Sequence, residues 1–558
     1  MAPYSSPKFY TLLLLASIAI AAVLSLLIFH PWPNRRALKR HNEQEAARRG
    51  CSRAPTIPRG FFGIGWLLRS IWATKHDWGP QFIVKNLDEQ VGRDVHTCVL
   101  AILDYELILT RDPENVQAVL ATQAQDWDIG EHRTASWAPM FGHGIFTSRG
   151  ERWKQSRALV RPQFTMGQIN DLDLIERHVC HLFAAIDRRH KCCGDSPDEK
   201  GWTREFDLQP LFYNLTLDVT TELIYGYSVH SQNPSKLLEL PIIPGYDMPD
   251  RESIGMHMDA GKAWIETRGA LWKYRWLLPT GEFHAHCAAI NKYADWFVQL
   301  RLQRGDAYLD GLQPKDESVS RDRFVLLHEL AKSTQDPIEL RSQTLNILTA
   351  GRDTTAALLG WVFYFLARNP NALAKLRNEV LDRFGPYIPS QPSGIRFREL
   401  RDSMPYLSAV INETFRVAPV VPLNERVALR DTVLPRGGGP DRDRPVFVPK
   451  GRQILILTYA MTRRNDLWGV DVDEFRPERW EENGGRKPGF EFIPFGAGAR
   501  QCLGQHLARI KAAYVISRLL QRYDTFENAE KPANAPMKFH HTIENRSGSG
   551  VRVRLHEA

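Results

Sequence analysis

FGAGARQCLG, residues 495–504, sets one cysteine in a loop of small residues, with an arginine two positions ahead of it. Gly496, Gly498 and Gly504 let the backbone turn tightly and approach something flat and bulky. The residues that follow, LGQHLARIKAAYVISRLLQRY, space apolar side chains at Leu503, Leu507, Ile510 and Tyr514, which predicts a helix. Cys502 then stands at a helix N-terminus, where the dipole and free backbone N–H groups favour an anion. That position predicts a thiol pKa lowered from about 8.5 into roughly the 3.5–7.5 range. Such a thiolate is a nucleophile or a metal ligand. His506 stays open as a base for the first. Arg500 favours the second, because it offers a fixed positive charge to a cofactor carrying carboxylates.

The chain has 558 residues, enough for one large domain or two ordinary ones, and 43% of them are hydrophobic. The net charge of +8 would suit nucleic acid, an anionic membrane or an acidic partner. No zinc spacing, internal repeat or Lys/Arg run with interleaved aromatics is present, so nucleic acid is not expected. Seven cysteines at irregular spacing, without a C-x-x-C, argue against a disulfide framework and for reducing conditions.

Phe9 to Phe29 reads FYTLLLLASIAIAAVLSLLIF, without a charge. As a helix it would be about 31 Å long, the thickness of a bilayer's hydrocarbon. Lys8 alone precedes it, and Arg35, Arg36, Lys39 and Arg40 follow, which puts the C-terminal side in the cytosol. A cleaved signal peptide would have a shorter apolar run and a small-residue cleavage site. This run leaves instead through Phe29-His30-Pro31-Trp32-Pro33. We therefore expect a membrane anchor over residues 1–30, a basic proline-containing hinge over 31–60, and one domain over 61–558. The triplets at Asn214, Asn412 and Asn545 would then never meet a glycosylating compartment.

Most of that domain reads helical, with short strands at Cys98–Ile102, Val446–Val448 and Gln453–Thr458. Ser231–Asp250, Gly385–Gly394 and the glycine-rich Arg436–Asp443 read as loops. Gly437-Gly438-Gly439 lacks the lysine and the strand-to-helix context of a phosphate loop. Asp336-Pro337-Ile338-Glu339 is a capped helix start, and the pattern runs about thirty residues to Pro370. Arg352 and Asp353 near its middle argue against a membrane span, since each costs about 2.5–3.5 kcal/mol there. A core helix broken by Gly351-Arg352-Asp353-Thr354 is the better reading.

Phe495-x-x-Gly498-x-Arg500-x-Cys502-x-Gly504 resembles the haem-thiolate signature of the cytochromes P-450. Five fixed positions including a cysteine match by chance on the order of once in ten thousand chains of this length. The resemblance implies a mainly α fold with small β-sheets, and haem b as cofactor. It implies Cys502 as axial iron ligand, Arg500 beside a haem propionate and Phe495 packed by the thiolate. Ala350-Gly351-Arg352-Asp353-Thr354-Thr355 is similar to the family's acid–alcohol pair. By that likeness Thr354 holds the oxygen-side hydrogen bond and Asp353 supplies protons through water. Both side chains could instead bond to nearby backbone. Glu413-Thr414-Phe415-Arg416 matches the family's Glu-x-x-Arg, as Glu45-Ala46-Ala47-Arg48 also does. Only the former lies between the long helix and the cysteine loop. With Arg479 of Phe475-Arg476-Pro477-Glu478-Arg479 it implies a buried charge network. Trp153-x-x-x-Arg157 is similar to the helix that contacts haem propionates, though a surface aromatic–cation pair has the same spacing. Arg152, Lys154, Arg161, Arg509 and Lys511 suggest a basic face for an acidic electron donor.

The stretches GIFTSRGERWKQSRALVRPQF (144–164), LNILTAGRDTTAALL (345–359), VPLNERVALRDTVLPRGGGPD (421–441) and FIPFGAG (492–498) resemble the fungal group that hydroxylates alkanes and fatty acids at the chain end. Ala499 and Gln501 depart from that group, which usually has proline and an aliphatic residue there. The resemblance implies a monooxygenase that uses dioxygen and a lipophilic substrate at the endoplasmic reticulum membrane, facing the cytosol. The chain has no room for a fused flavin reductase, so electrons would come from a separate NADPH–cytochrome P-450 reductase. Tailoring of a fungal secondary metabolite is the alternative. By analogy Trp137, Phe141 and Ile145, in the loop before the Trp153 helix, together with Ala357, Val420 and Val421, would line the pocket. A dioxygen-independent haem-thiolate isomerase or dehydratase, or a haem protein without catalysis, would have no use for Asp353 and Thr354.

Overall fold

Asp336 opens the longest helix of the described residues. Its Oδ1 accepts a hydrogen bond from Ile338 N at 2.9 Å, Pro337 occupies the first turn, and the helix runs Pro337–Leu366 before Pro370 starts the next. Carboxylate cap and proline satisfy and pre-form the first turn as the sequence predicts. This computed structural model describes residues 33–558 apart from 59, 61–62, 103–104, 165–170, 191–198, 234–239, 272–274, 277, 306, 309–323, 390, 392, 483–484 and 486.

The helices that matter below are α1 (Pro33–Arg48), α2 (Glu131–Phe141), α3 (Gly150–Val160), α4 (Leu172–His190), α5 (Gln209–Tyr225), α6 (Ile254–Leu271), α7 (Gly281–Arg304), α8 (Pro337–Leu366), α9 (Pro405–Val417) and α10 (Gln505–Arg522). The largest sheet has the order β1-β2-β8-β5-β3, built from β1 (Thr97–Ile102), β2 (Tyr105–Thr110), β3 (Trp127–Asp128), β5 (Asn424–Ala428) and β8 (Gln453–Ile456). Only β2 and β8 run parallel, with Leu107 opposite Gln453. β4 (Phe206–Asp207), β12 (Arg552–Glu557) and β9 (Tyr523–Asn528) form a second sheet. β6 (Thr432–Gly438) pairs with β7 (Arg444–Val448), and β10 (Phe539–His541) with β11 (Asn545–Ser547).

Almost every side chain of α8 from Leu340 to Leu366 is buried. α5 lies against it at Gly351, where a Cβ would come within 2.8 Å of Thr220 Cγ2. Phe363 stacks on Phe212 at 5.5 Å, and Trp361 Nε1 donates to Asn545 O at 2.9 Å, which ties the β10–β11 hairpin to the same helix. A helix buried on nearly every side is thus a core helix, enclosed by others.

Four expectations change. The segment read as a hinge contains α1, whose Ala, Leu, Lys, Arg, Glu and Gln residues favour helix once Pro33 is passed. It leads into the domain, where Ser52 N donates to Pro445 O at 2.8 Å. Trp137 and Phe141 lie in α2 and not in a loop, although Pro139 is inside that helix. β6 runs three residues into the glycine-rich stretch, through Gly437 at φ +116° to Gly438, and the rest of that stretch is the loop to β7. The last strand stops at Ile456, and a short helix begins at Thr458. The anchor expected over residues 1–30 lies outside the described residues; among these, no helix is long and apolar enough to cross a membrane.

Replacing Asp336 by Ala removes the cap of α8. The expected loss is about 1 kcal/mol of stability, read as a lower denaturation midpoint in urea with unchanged slope.

Candidate functional site: the cysteine loop and the helix above it

The loop before α10 folds back on itself, with Cys502 N donating to Phe495 O at 3.0 Å. Gly496 and Gly498 take φ of +68° and +67°, and a Cβ on Gly498 would stand 1.7 Å from Leu120 O. Only glycine fits there, on grounds of both conformation and space. Cys502 leaves its sulfur exposed on one side. Burial by the surrounding protein nevertheless pushes its thiol pKa up, against a Gly504 backbone N–H and the charge of Arg157. This overturns the expected low pKa. α10 begins only at Gln505, and a helix dipole acts within about one turn. A coordinated metal cation deprotonates such a thiol outright. His506 makes no hydrogen bond to any described residue, so a nucleophile at Cys502 has no base.

Beside the loop is a group of guanidiniums. Arg500 donates to Asp128 Oδ1 at 2.5 Å and to Ser148 O at 3.0 Å, and lies 4.3 Å over the Trp153 ring. Arg157, 5.8 Å from the same ring, donates to Gln501 O at 3.0 Å. Arg133 covers Trp137 at 4.4 Å and keeps a buried Nε without a partner. Arg426 is buried, and its pKa is pushed down to about 9 by that burial and by Arg133 and Arg500. Arg500 is pushed to about 10, mainly by burial. Asp128 and Glu425 are the acids facing these four cations, and Glu425 also takes His132 at 2.9 Å. The surplus of positive charge, with an orphaned N–H, fits a ligand carrying two carboxylates next to a cysteine, as haem does. Sequence reading missed Arg133 and Arg426. The one available signal was Arg133-x-x-x-Trp137, the reversed spacing of Trp153-x-x-x-Arg157.

Glu413 lies fully buried behind the loop. Arg416 grips it in a two-pronged pair at 2.9 and 2.8 Å, and Arg479 Nε, Trp480 Nε1 and Arg476 N each donate to it at 2.9 Å. Arg416 also donates to Val472 O at 2.6 Å and Glu474 O at 2.8 Å, pinning the segment that leads to the loop. The other matching pair, Glu45 and Arg48, forms at 2.7 Å on the exposed face of α1. Phe495 packs edge-on to Phe415 of α9 at 5.2 Å, with Arg509 at 5.2 Å over it. Lys511 is buried and adds nothing to a basic face, whereas Arg509 is half-buried and donates to Asn412 Oδ1. Arg152, Lys154 and Arg161 are exposed, with Lys154 paired to Glu151.

On α8, Thr354 Oγ1 donates to Ala350 O at 2.7 Å, the local backbone bond. Asp353 is 1% exposed and accepts from Arg352 at 2.7 Å. Lys262 Nζ of α6 stands 2.9 Å from its Oδ2, 2.8 Å from Glu544 Oε1 and 3.4 Å from Asp259 Oδ1. Arg352 holds Asp259 at 2.8 and 3.2 Å. Burial pushes the Asp353 carboxyl up, while Lys262 and Arg352 pull it back. Burial opposes ionisation of Glu544 as well, but Lys262 holds it at about 2. Asp259 and Lys262 lie three apart on α6, but nothing in the sequence joins them to Asp353 or Glu544, which distant segments bring to them.

Phe141, Ala357 and Val420 are buried in the hydrophobic core, with Trp137 5.9 Å from Phe141. Asn545 N donates to Val420 O at 2.9 Å, so the β10–β11 hairpin borders this group. Ile145 follows α2 in a turn, half-buried. Val421, next to buried Val420, is 37% exposed.

The sequence profile of the cytochrome P450 family matches residues 66–546. A cytochrome P450 monooxygenase of a Fusarium species, g430, is 41% identical over 88% of this chain and 82% of its own. Cytochrome P450 52A12 of Debaryomyces hansenii is 39% identical over 85% and 86%. The crystal structure of a cytochrome P450, CYP102L1, superposes with a TM-score of 0.67 over 91% of this chain and 99% of its own, at 19% identity. That likeness shows the fold.

Two substitutions test the loop and its support. Gly498→Ala is expected to abolish haem incorporation, seen as a lost Soret band in purified protein. Glu413→Ala strands two buried guanidiniums and is expected to cost about 3–5 kcal/mol, read by urea denaturation.

Proposed function

This chain belongs to the cytochrome P450 family, and from that premise we propose how its residues divide the work. The protein is a haem-thiolate monooxygenase that hydroxylates a lipophilic substrate. We assign Cys502 as the axial thiolate, with Arg500, Arg157, Trp153, Arg133 and Arg426 holding the propionates and Gly498 and Gly504 making room for the macrocycle. Once bound, haem iron supplies oxygen activation, and its thiolate ligand favours O–O cleavage. The observation that carries the assignment is the guanidinium surplus beside a sulfur that has no base.

The remaining chemistry is proton handling by α8. Thr354 Oγ1 parks its proton on Ala350 O and becomes a donor to the haem face when that bond opens. Asp353 is the buried acid beside it. It passes a proton only when its oxygen leaves Lys262 Nζ and Arg352, so Lys262 sets its resting position. Glu413, Arg416 and Arg479 act structurally.

The substrate we favour is a long-chain fatty acid or alkane attacked at or near its end, supported by the resemblance to the fungal hydroxylases and by the apolar, buried Phe141, Ala357 and Val420. The charged cluster beside the β10–β11 hairpin supports a second reading, tailoring of a secondary metabolite that bears polar groups. We assign residues 1–30 as an anchor in the endoplasmic reticulum membrane, from the apolar run Phe9–Phe29 and the arginines after it. Electrons then come from a separate NADPH–cytochrome P450 reductase in the cytosol.

Reconstitution with reductase and NADPH, offered alkanes, fatty acids and fungal extract, tests the substrate. A terminal hydroxy acid supports the lipid reading, and silence on lipids with an oxygenated extract product supports the second. Cys502→Ala is expected to lose the thiolate-type carbon monoxide spectrum; its retention overturns the ligand assignment. Thr354→Ala is expected to lower product formation by about 10²-fold or more while NADPH consumption continues. Lys262→Met should keep the carbon monoxide spectrum and change the solvent isotope effect on turnover.

A further inference from the structure

Lys511 lies about two turns into α10 and is 6% exposed. No described residue gives its ammonium a hydrogen bond or ion pair, and burial pushes its pKa down to about 8. Several other buried cations are paired. Lys262 shares three carboxylates, and further along α10 Arg518 holds Glu176 at 2.7 Å and Arg522 holds Asp187 at 2.7 Å.

The Lys511 side chain lines a cavity walled by Leu174 of α4, Leu223 of α5, Ile347 of α8, Leu507 and Phe164. Asp171 stands at its edge, but its Oδ1 already caps α4 by accepting from Leu174 N at 2.9 Å. None of the residues assigned to haem lines it. About 20 Å³ is open to a water-sized body, above the roughly 10–15 Å³ that one water needs.

We propose that this cavity is an anion site, in which Lys511 binds one compact monoanion: a chloride ion or the carboxylate of an acid as small as formate. An ammonium in apolar surroundings attracts an opposite charge far more strongly than in water. Beside Lys511 the described walls offer only the Gln163 amide as a donor, too little to neutralise a dianion, and the open space of about 20 Å³ suits one small ion. The two sources share a single negative charge of small radius and differ in shape.

The test uses the full-length, haem-loaded protein in detergent, at constant ionic strength made up with sodium isethionate, whose anion is too bulky to enter. Sodium chloride and sodium formate are titrated separately and the thermal midpoint is followed. A saturable rise of about 1–2 °C at tenfold over half-saturation is expected in the wild type and none in Lys511→Met. A rise with chloride alone assigns a halide site, and a rise with formate alone assigns a carboxylate site. No saturable rise with either, or the same rise in Lys511→Met, overturns the proposal. An unchanged carbon monoxide spectrum in Lys511→Met separates this result from the haem assignment. Should that variant fail to fold, acetylation of Lys511 by N-hydroxysuccinimidyl acetate in the wild type decides. Mass spectrometry should show the rate falling about tenfold at the same anion excess, and an unchanged rate overturns the site.

Discussion

The carboxylate of Glu413 is the fixed point from which the cysteine loop is hung. It is fully buried and receives donors from Arg416, Arg476, Arg479 and Trp480, while Arg416 reaches on to the carbonyls of Val472 and Glu474. Taking these charges out of water is expensive, and only a complete set of partners offsets it. The result is a rigid bracket between α9 and the segment ahead of the loop. Phe495 then packs on Phe415 of α9, and the loop closes by the bond from Cys502 N to Phe495 O. The position of the sulfur thus depends on an ion pair within α9.

A second group of charges does the opposite job. The guanidiniums of Arg133, Arg157, Arg426 and Arg500 are left with fewer acids than they could bind, and burial depresses the pKa of each. A surplus of this kind destabilises the protein alone and is relieved by an anionic ligand. It therefore marks a binding site, whereas the satisfied Glu413 bracket marks a support. Satisfaction of the partners separates the two roles, since both consist of buried arginines.

The polar interruption of α8 has a reason of its own. Arg352 and Asp353 sit where α6 and the β10–β11 hairpin meet the helix, and Lys262 joins Asp353 to Glu544. The acid beside Thr354 is thereby tied to both elements.

Much of this molecule is legible in the chain. Asp336-Pro337 and Pro370 bracket α8 because capping and proline geometry are local properties of sequence. The glycines around Cys502 announce a tight loop, and Glu413-x-x-Arg416 places its two charges on one helix face, for the same reason. The residues that sequence reading missed share another trait. Lys262 meets Asp353 and Glu544, and Arg133 and Arg426 meet each other, Arg500 and Asp128, only because distant segments pack together, which no periodicity records. Tertiary packing also reversed two local expectations. Burial raised the Cys502 thiol where the nearby helix predicted a low pKa, and it drew Lys511 inside where its charge predicted a solvated face. The sequence by itself determined the family, the helices and the cysteine loop, since these rest on short-range geometry. The balance of charge around them was decided only by the fold, because desolvation depends on every element that closes over a side chain.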